Sequence, residues 1–213
     1  MKSKQKVALF LNLANVVFQI YALVIVFLTK GFTTLQYYTI DSNIFACVSS
    51  IFLVAALLIK RKTPKWVHRL RFYATSCITV TFVVVLVILI PLAGFRRLPE
   101  LLFRGPNLWQ HTVCPLLSII SFIFFEKEVK LEKDQSMYAL VPTLIYGIVT
   151  LILNFLRTIT GPYVFLLVYE QSGWMTFMWM IIIGGIAYIL AELLRRGNMR
   201  LGIHSSNVGA KRL

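Results

Sequence analysis

Thr39 and His111 are the two side chains in this chain best suited to covalent chemistry. A threonine hydroxyl becomes a nucleophile when a nearby base takes its proton, and an imidazole is the usual base. Such a couple attacks an ester to form an acyl-threonine, which water then releases. Asn43 lies one helical turn from Thr39, and Asn107 one turn from His111. Each is therefore placed to donate to an oxyanion or to orient the ring. Asp41 would orient the ring only by leaving helical phase, because at roughly 100° per residue it lies about 200° around from Thr39. Asn154, Arg157, Gly161 and Tyr163 make a third polar group, a candidate substrate-binding set. Arg157 either snorkels to the membrane interface or holds a substrate carboxylate or headgroup phosphate. The chain has no His-Glu-x-x-His motif, no Ser-centred elbow and no paired cysteine spacing, so no metal and no organic cofactor is expected.

Not every polar residue in an apolar segment does chemistry. Cys47, Ser50, Ser118, Ser121 and Thr150 read as the small and hydroxylated residues that pack membrane helices. For Asn43 and Asn154 the packing and functional readings balance. A histidine inside a span is rarer and titrates near physiological pH, which singles out His111. His68 and His204 fall in basic segments and read as solvated surface.

The elements that must position these residues are membrane helices. Hydrophobic residues make up 58% of the 213 positions and charged ones only 14%. The apolar residues come in unbroken blocks, and a helix needs about 20 of them to cross a bilayer. Six blocks approach or exceed that length, at 7–28, 37–59, 72–94, 108–125, 137–156 and 174–194. The expected fold is all-α: a single polytopic domain over 1–213, a six-transmembrane-helix bundle. The block at 7–28 is too long for a signal h-region and lacks a cleavage site, so it reads as the first span. Seventeen of the 22 basic residues fall on one side of this topology, which puts both termini in the cytoplasm. The net charge of +14 is thus a topology signal with some attraction to anionic lipid headgroups, and nucleic acid is not an expected partner. Residues 126–135 read as a solvated cytoplasmic loop. The compact loops suit a multi-pass protein of a bacterial plasma membrane.

With that topology, three polar stripes meet near one face of the membrane. They are Thr39, Asn43 and Ser50 on the second span; Asn107, His111, Cys114, Ser118 and Ser121 on the fourth; and Thr150, Asn154, Arg157 and Gly161 on the fifth. The segment 162–169 is apolar but too short to cross. It either dips back under a covering of protein, as a lid, or lies in the interface with its tyrosines in the aromatic belt.

Three short motifs occur in a telling order. Tyr37-Tyr38-Thr39-Ile40-Asp41-Ser42-Asn43 opens the second span, Gln110-His111-Thr112-Val113-Cys114-Pro115 lies in the fourth, and Thr160-Gly161-Pro162-Tyr163-Val164-Phe165-Leu166 precedes the last. Together they resemble the androgen-induced-gene and androgen-dependent TFPI-regulating protein family of six-span membrane threonine hydrolases, in a bacterial form. The resemblance covers most of the chain. Val164 stands where the family has proline, and Asn43 differs from the animal members. The resemblance implies hydrolysis of lipid esters, such as fatty-acid esters of hydroxy fatty acids, with Thr39 as nucleophile and His111 as base. Membrane lipids and a lipid ester are then the expected partners. A lipid or small-molecule transporter using the same polar cavity is the competing expectation, although neither paired midplane charges nor inverted repeats are evident. A structural membrane protein is the third.

Overall fold

The computed structural model describes residues 1–127 and 129–207, with side chains as far as residue 201. The His204 side chain and the tail cations Lys211 and Arg212 lie outside what is described. In chain order the helices are α1 (Ser3–Lys30), α2 (Tyr38–Lys60), α3 (Lys65–Ala93), α4 (Phe95–Phe103), α5 (Leu108–Phe124), α6 (Gln135–Phe155) and α7 (Gly173–Asn207). Five of them, α1, α2, α3, α6 and α7, are long and apolar enough to cross a membrane. A sixth span exists if α4 and α5 count as one helix bent by 92°. The bend falls at Gly105, which has φ of +56°, followed by Pro106. Glycine takes the left-handed turn without a Cβ penalty, and the residue before a proline is driven out of helical conformation.

The helices turn their apolar faces outward. On α1 the exposed side chains include Phe10, Leu13, Val17, Ile20, Val24 and Leu28, while Asn12, Asn15 and Gln19 are fully buried. This inversion of the water-soluble pattern is what a lipid surround requires. α2 packs between α1 and α3, α5 packs on α1 and α3, and α7 closes against α3 and α5. Gln5 reaches the Arg61 carbonyl at 3.4 Å, and Asn198 reaches the Glu126 carbonyl at 2.9 Å. These contacts gather one end of the bundle, here the basic end. Thr39 and His111 lie at the other, the site end.

Two helices carry a wide π-helical turn, each ending two residues before a proline. Pro91 and Pro115 lack an N–H, and their rings press on the carbonyls of Val87 and His111. The backbone relaxes by bonding Ile90 N–H to the Val85 carbonyl and Cys114 N–H to the Trp109 carbonyl. The second of these turns, Leu108–Val113, carries His111. Wide turns of this kind recur at functional sites.

The basic end departs from expectation. α3 begins at Lys65, seven residues before the block read from hydropathy, and it takes His68 and Arg71 into the core. His68 is 1% exposed and stacks on Phe122 at 5.5 Å, so it is not a solvated surface residue. Arg71 is fully buried and pairs with Glu126, which corrects the reading of 126–135 as wholly solvated. Arg71 Nε and Nη2 each donate to a Glu126 carboxylate oxygen at 3.0 Å, the fork geometry in which guanidinium and carboxylate bind best. Asn12 and Ser121 donate to the same carboxylate at 2.9 and 2.7 Å. Arg71 Nη1 completes the knot on Ser49 and Ser50. Four helices and the segment after α5 are tied there through one charge pair.

Candidate active site

Thr39 is the second residue of α2, and His111 sits in the π turn of α5. The structure brings Thr39 Oγ1 within 3.3 Å of His111 Nε2. On the far side of the ring, His111 Nδ1 lies 2.7 Å from the Leu101 carbonyl. A carbonyl only accepts, so Nδ1 carries the hydrogen and the neutral ring presents the Nε2 lone pair to the Thr39 hydroxyl. That is the tautomer a general base needs. Both side chains are 9% exposed.

The short helix α4 fixes this arrangement. Its last turn has carbonyls with no helical partner. Three successive ones are taken by side chains from the start of α5: Glu100 by Asn107 at 3.0 Å, Leu101 by His111, and Leu102 by Thr112 at 2.8 Å. Asn107 therefore latches α4 to α5 and the Leu101 carbonyl orients the ring. Asn43 lies under the pair, where its amide donates to the Thr39 carbonyl at 2.8 Å and the Gln110 carbonyl at 3.2 Å. It joins the two helices that carry the dyad. Asp41 is half-buried in the first turn of α2, and its carboxylate accepts no hydrogen bond among the described residues.

The segment after α6 supplies the remaining wall. Phe165 and Leu166 are buried in the core with Tyr38, Val80 and Val84, whereas Val164 and Tyr169 are exposed, so 162–169 turns one face to the protein and the other outward. Tyr163 stacks on Phe165 at 5.1 Å, and its hydroxyl accepts the Thr39 N–H at 3.4 Å. The tyrosine proton is left free to donate beside the Thr39 hydroxyl, and the start of α2 adds the positive end of its dipole. Asn154 staples the same segment, donating to the Ile159 carbonyl at 3.3 Å and accepting Val168 N–H at 3.2 Å. Arg157 is exposed and stands over the Tyr169 ring at 4.7 Å, away from the dyad. Gly161 is required by space: a Cβ there would lie 2.5 Å from the Leu166 carbonyl oxygen. Gly161→Ala is expected to cost about 1–3 kcal/mol through displacement of this backbone. Thermal melts in detergent would register it, and an unchanged midpoint would show that the segment moves aside freely.

Two cavities meet at Thr39. An open vestibule of about 1060 Å³ is bounded by Thr39, Gln110, His111 and Tyr163, with Lys30, Arg97 and Arg104 on its walls. Glu100 is the acidic residue there, and its exposed 3.3 Å pair with Arg97 leaves the vestibule net positive. The second cavity is a narrow apolar channel of about 50 Å³ between α2, α3, α6 and α7. Tyr38, Val84, Gly147, Trp179, Met180 and Gly184 are among its walls. Thr39, Leu89 and Tyr163 border both spaces.

Of the polar groups read from the sequence, the second and fourth spans thus meet through Thr39, Asn43 and His111, and the fifth contributes through Tyr163. The vestibule cations Lys30, Arg97 and Arg104 and the orienting Leu101 carbonyl were not anticipated. The cations carried a signal, being the site-end minority of the basic residues, whereas a backbone carbonyl carries none. No family model matches this chain, and neither any curated protein nor any solved structure does.

Proposed function

We propose that this protein is a membrane-embedded hydrolase of lipid acyl esters, with Thr39 as nucleophile and His111 as base. One observation carries the reading: the His111 ring is held between the Leu101 carbonyl and the Thr39 hydroxyl, at 2.7 and 3.3 Å. The longer distance is in keeping with an unliganded site, where catalytic hydrogen bonds are often loose.

In the proposed cycle Thr39 Oγ1 attacks the ester carbonyl carbon while its proton passes to His111 Nε2. The carbonyl oxygen becomes an oxyanion beside the Tyr163 hydroxyl and the start of α2. The intermediate collapses, and the alcohol leaves with the proton from His111. Water from the vestibule then attacks the acyl-threonine as His111 takes its proton, and collapse returns that proton to Thr39 as the acid departs. The cavities suggest how an ester would lie. The acyl chain takes the apolar channel, and the other half takes the vestibule, where Lys30, Arg97 and Arg104 favour an anionic group. A carboxylate-bearing ester, such as a fatty-acid ester of a hydroxy fatty acid, fits that description. The channel volume is well below the roughly 300–1,000 Å³ of ordinary ligand sites. An acyl chain must therefore part α6 from α7, which the adaptable Met180 and the adjacent Gly147 and Gly184 favour.

The resemblance to six-span threonine hydrolases belongs to the same proposal, as does the placement of the basic end toward the cytoplasm of a bacterial cell. The test is labelling of the purified protein by a fluorophosphonate, with Thr39→Ala and His111→Ala beside the parent. Labelling of the parent alone, with all three proteins melting cooperatively, is the expected result. Equal labelling of all three, or of none, would count against an activated hydroxyl and favour a transporter built on the same vestibule.

A further inference from the structure

A seam of buried polar side chains runs from the dyad into the membrane interior, between α1, α2, α3 and α5. At its outer end Asn43 Oδ1 and Gln110 Nε2 are buried without a protein partner, just below the bonds that Asn43 makes to the Thr39 and Gln110 carbonyls. Deeper in, both amide atoms of Gln19 are unpartnered, as is Thr75 Oγ1. Asn15 donates to Ser118 at 2.7 Å and Asn12 to Ser121 at 2.8 Å, yet the carbonyl oxygen of each amide has no partner. The seam ends at the Arg71–Glu126 pair, to which Asn12 is bonded. Asn12, Gln19 and Asn43 are 0% exposed, Asn15 is 1% and Gln110 is 3%.

On α1 these atoms form a column. Asn12, Asn15 and Gln19 share one face of α1, about 10 Å from first to last at 1.5 Å per residue. α5 runs antiparallel to α1, as the Asn12–Ser121 and Asn15–Ser118 bonds show, so Gln19 lies near the level of Cys114. Cys114 and Cys47 sit one turn below Gln110 and Asn43, and Cys114 packs against Ala46, the neighbour of Cys47. A dry column would leave seven polar atoms unsatisfied, at a combined cost comparable to the whole stability of an ordinary domain. The occupant must also both donate and accept, since the column presents amide N–H groups as well as carbonyl oxygens. A metal cation would satisfy the oxygens alone and would face the Arg71 guanidinium. Water meets both demands.

We propose that a file of bound water fills this seam, continuous with the vestibule through Gln110 and stopped at the basic end by Arg71–Glu126. The file brings solvent to the middle of the bundle without opening a path through it, because the fixed guanidinium lies across its end. It stands whether or not the dyad hydrolyses an ester.

Two measurements on the full-length protein in nanodiscs test it. Millisecond hydroxyl-radical footprinting reports side chains that touch bound water. Cys47 and Cys114 are expected to be oxidised readily despite their burial, and at least threefold more slowly in Gln19→Leu. Gln19→Leu is also expected to lower the thermal midpoint by several degrees, because displacing the water beside it strips hydrogen bonds from the neighbouring polar atoms that remain. A dry seam gives the opposite sign: removing two unsatisfied polar atoms leaves the midpoint unchanged or raises it. That result, or cysteines protected in the parent protein, overturns the proposal. Labelling by a fluorophosphonate is read separately, so failure of the hydrolase reading and failure of the water file are distinguishable.

Discussion

Replacing His111 by alanine is expected to lower turnover of a long-chain p-nitrophenyl ester by about 10²–10⁴-fold, the usual contribution of a positioned base. The loss should appear in kcat with little change in KM. The ring contacts the Thr39 hydroxyl and the Leu101 carbonyl, and in the proposed cycle its task is to move a proton in the transition state. Thr39→Ala should fall at least as far, and the double variant no further, because a base without its nucleophile has nothing to activate. Tyr163→Phe separates the oxyanion from the dyad. It keeps the stack on Phe165 and removes one donor, at an expected cost of about 10²–10³ in kcat. Additive losses for Thr39→Ala and His111→Ala would show that the two residues do not work as a unit. Melts of each variant exclude loss of fold as the cause.

The five long spans were legible because apolar blocks long enough to cross a bilayer have few other uses. The approach of Thr39 to His111 was legible for a different reason. Each lies on a polar stripe at helical spacing, and burial of both stripes leaves few ways for α2 and α5 to pack. What escaped the sequence was non-local or carried by backbone. Arg71 was counted with its basic neighbours because nothing nearby announces Glu126, 55 positions later. Hydropathy averages over that pairing and places the start of α3 too late. The orienting role expected of Asn107 or Asp41 falls to a carbonyl of α4, and every residue type offers one. The π turn that aims His111 follows from Pro115, yet its exact hydrogen-bond shift depends on how α5 is held. The spacing of Asn12, Asn15 and Gln19 was visible, but a segment so apolar on its other faces reads simply as a span.

Arg71→Met is expected to destabilise the protein by about 3–5 kcal/mol, a midpoint lower by roughly 10 °C for a chain of this size. The cost comes less from the lost attraction than from the carboxylate left behind, since the Glu126 side chain is 1% exposed. Arg71→Met with Glu126→Gln removes both charges and should recover part of the loss, so the cycle should show coupling of about 0.5–3 kcal/mol. The pH dependence gives an independent reading. Burial by itself pushes the Glu126 carboxyl up, but the Arg71 guanidinium and the bonds from Arg71, Asn12 and Ser121 outweigh it and hold the group below its ordinary value of 4.5. A carboxyl depressed on folding contributes stability that is fully present above its unfolded pKa and is lost as pH falls through its folded one. The parent midpoint should therefore hold from neutral pH down to about 5 and fall on further acidification. Glu126→Gln should start lower and lose part of that acid limb. If instead the limb is unchanged, acid lability belongs to other carboxylates and the Arg71–Glu126 knot holds its proton balance to lower pH. Destabilisation by Arg71→Met without recovery in the double variant would mean that Arg71 acts mainly through Ser49 and Ser50, tying α3 to α2 more than to the segment after α5.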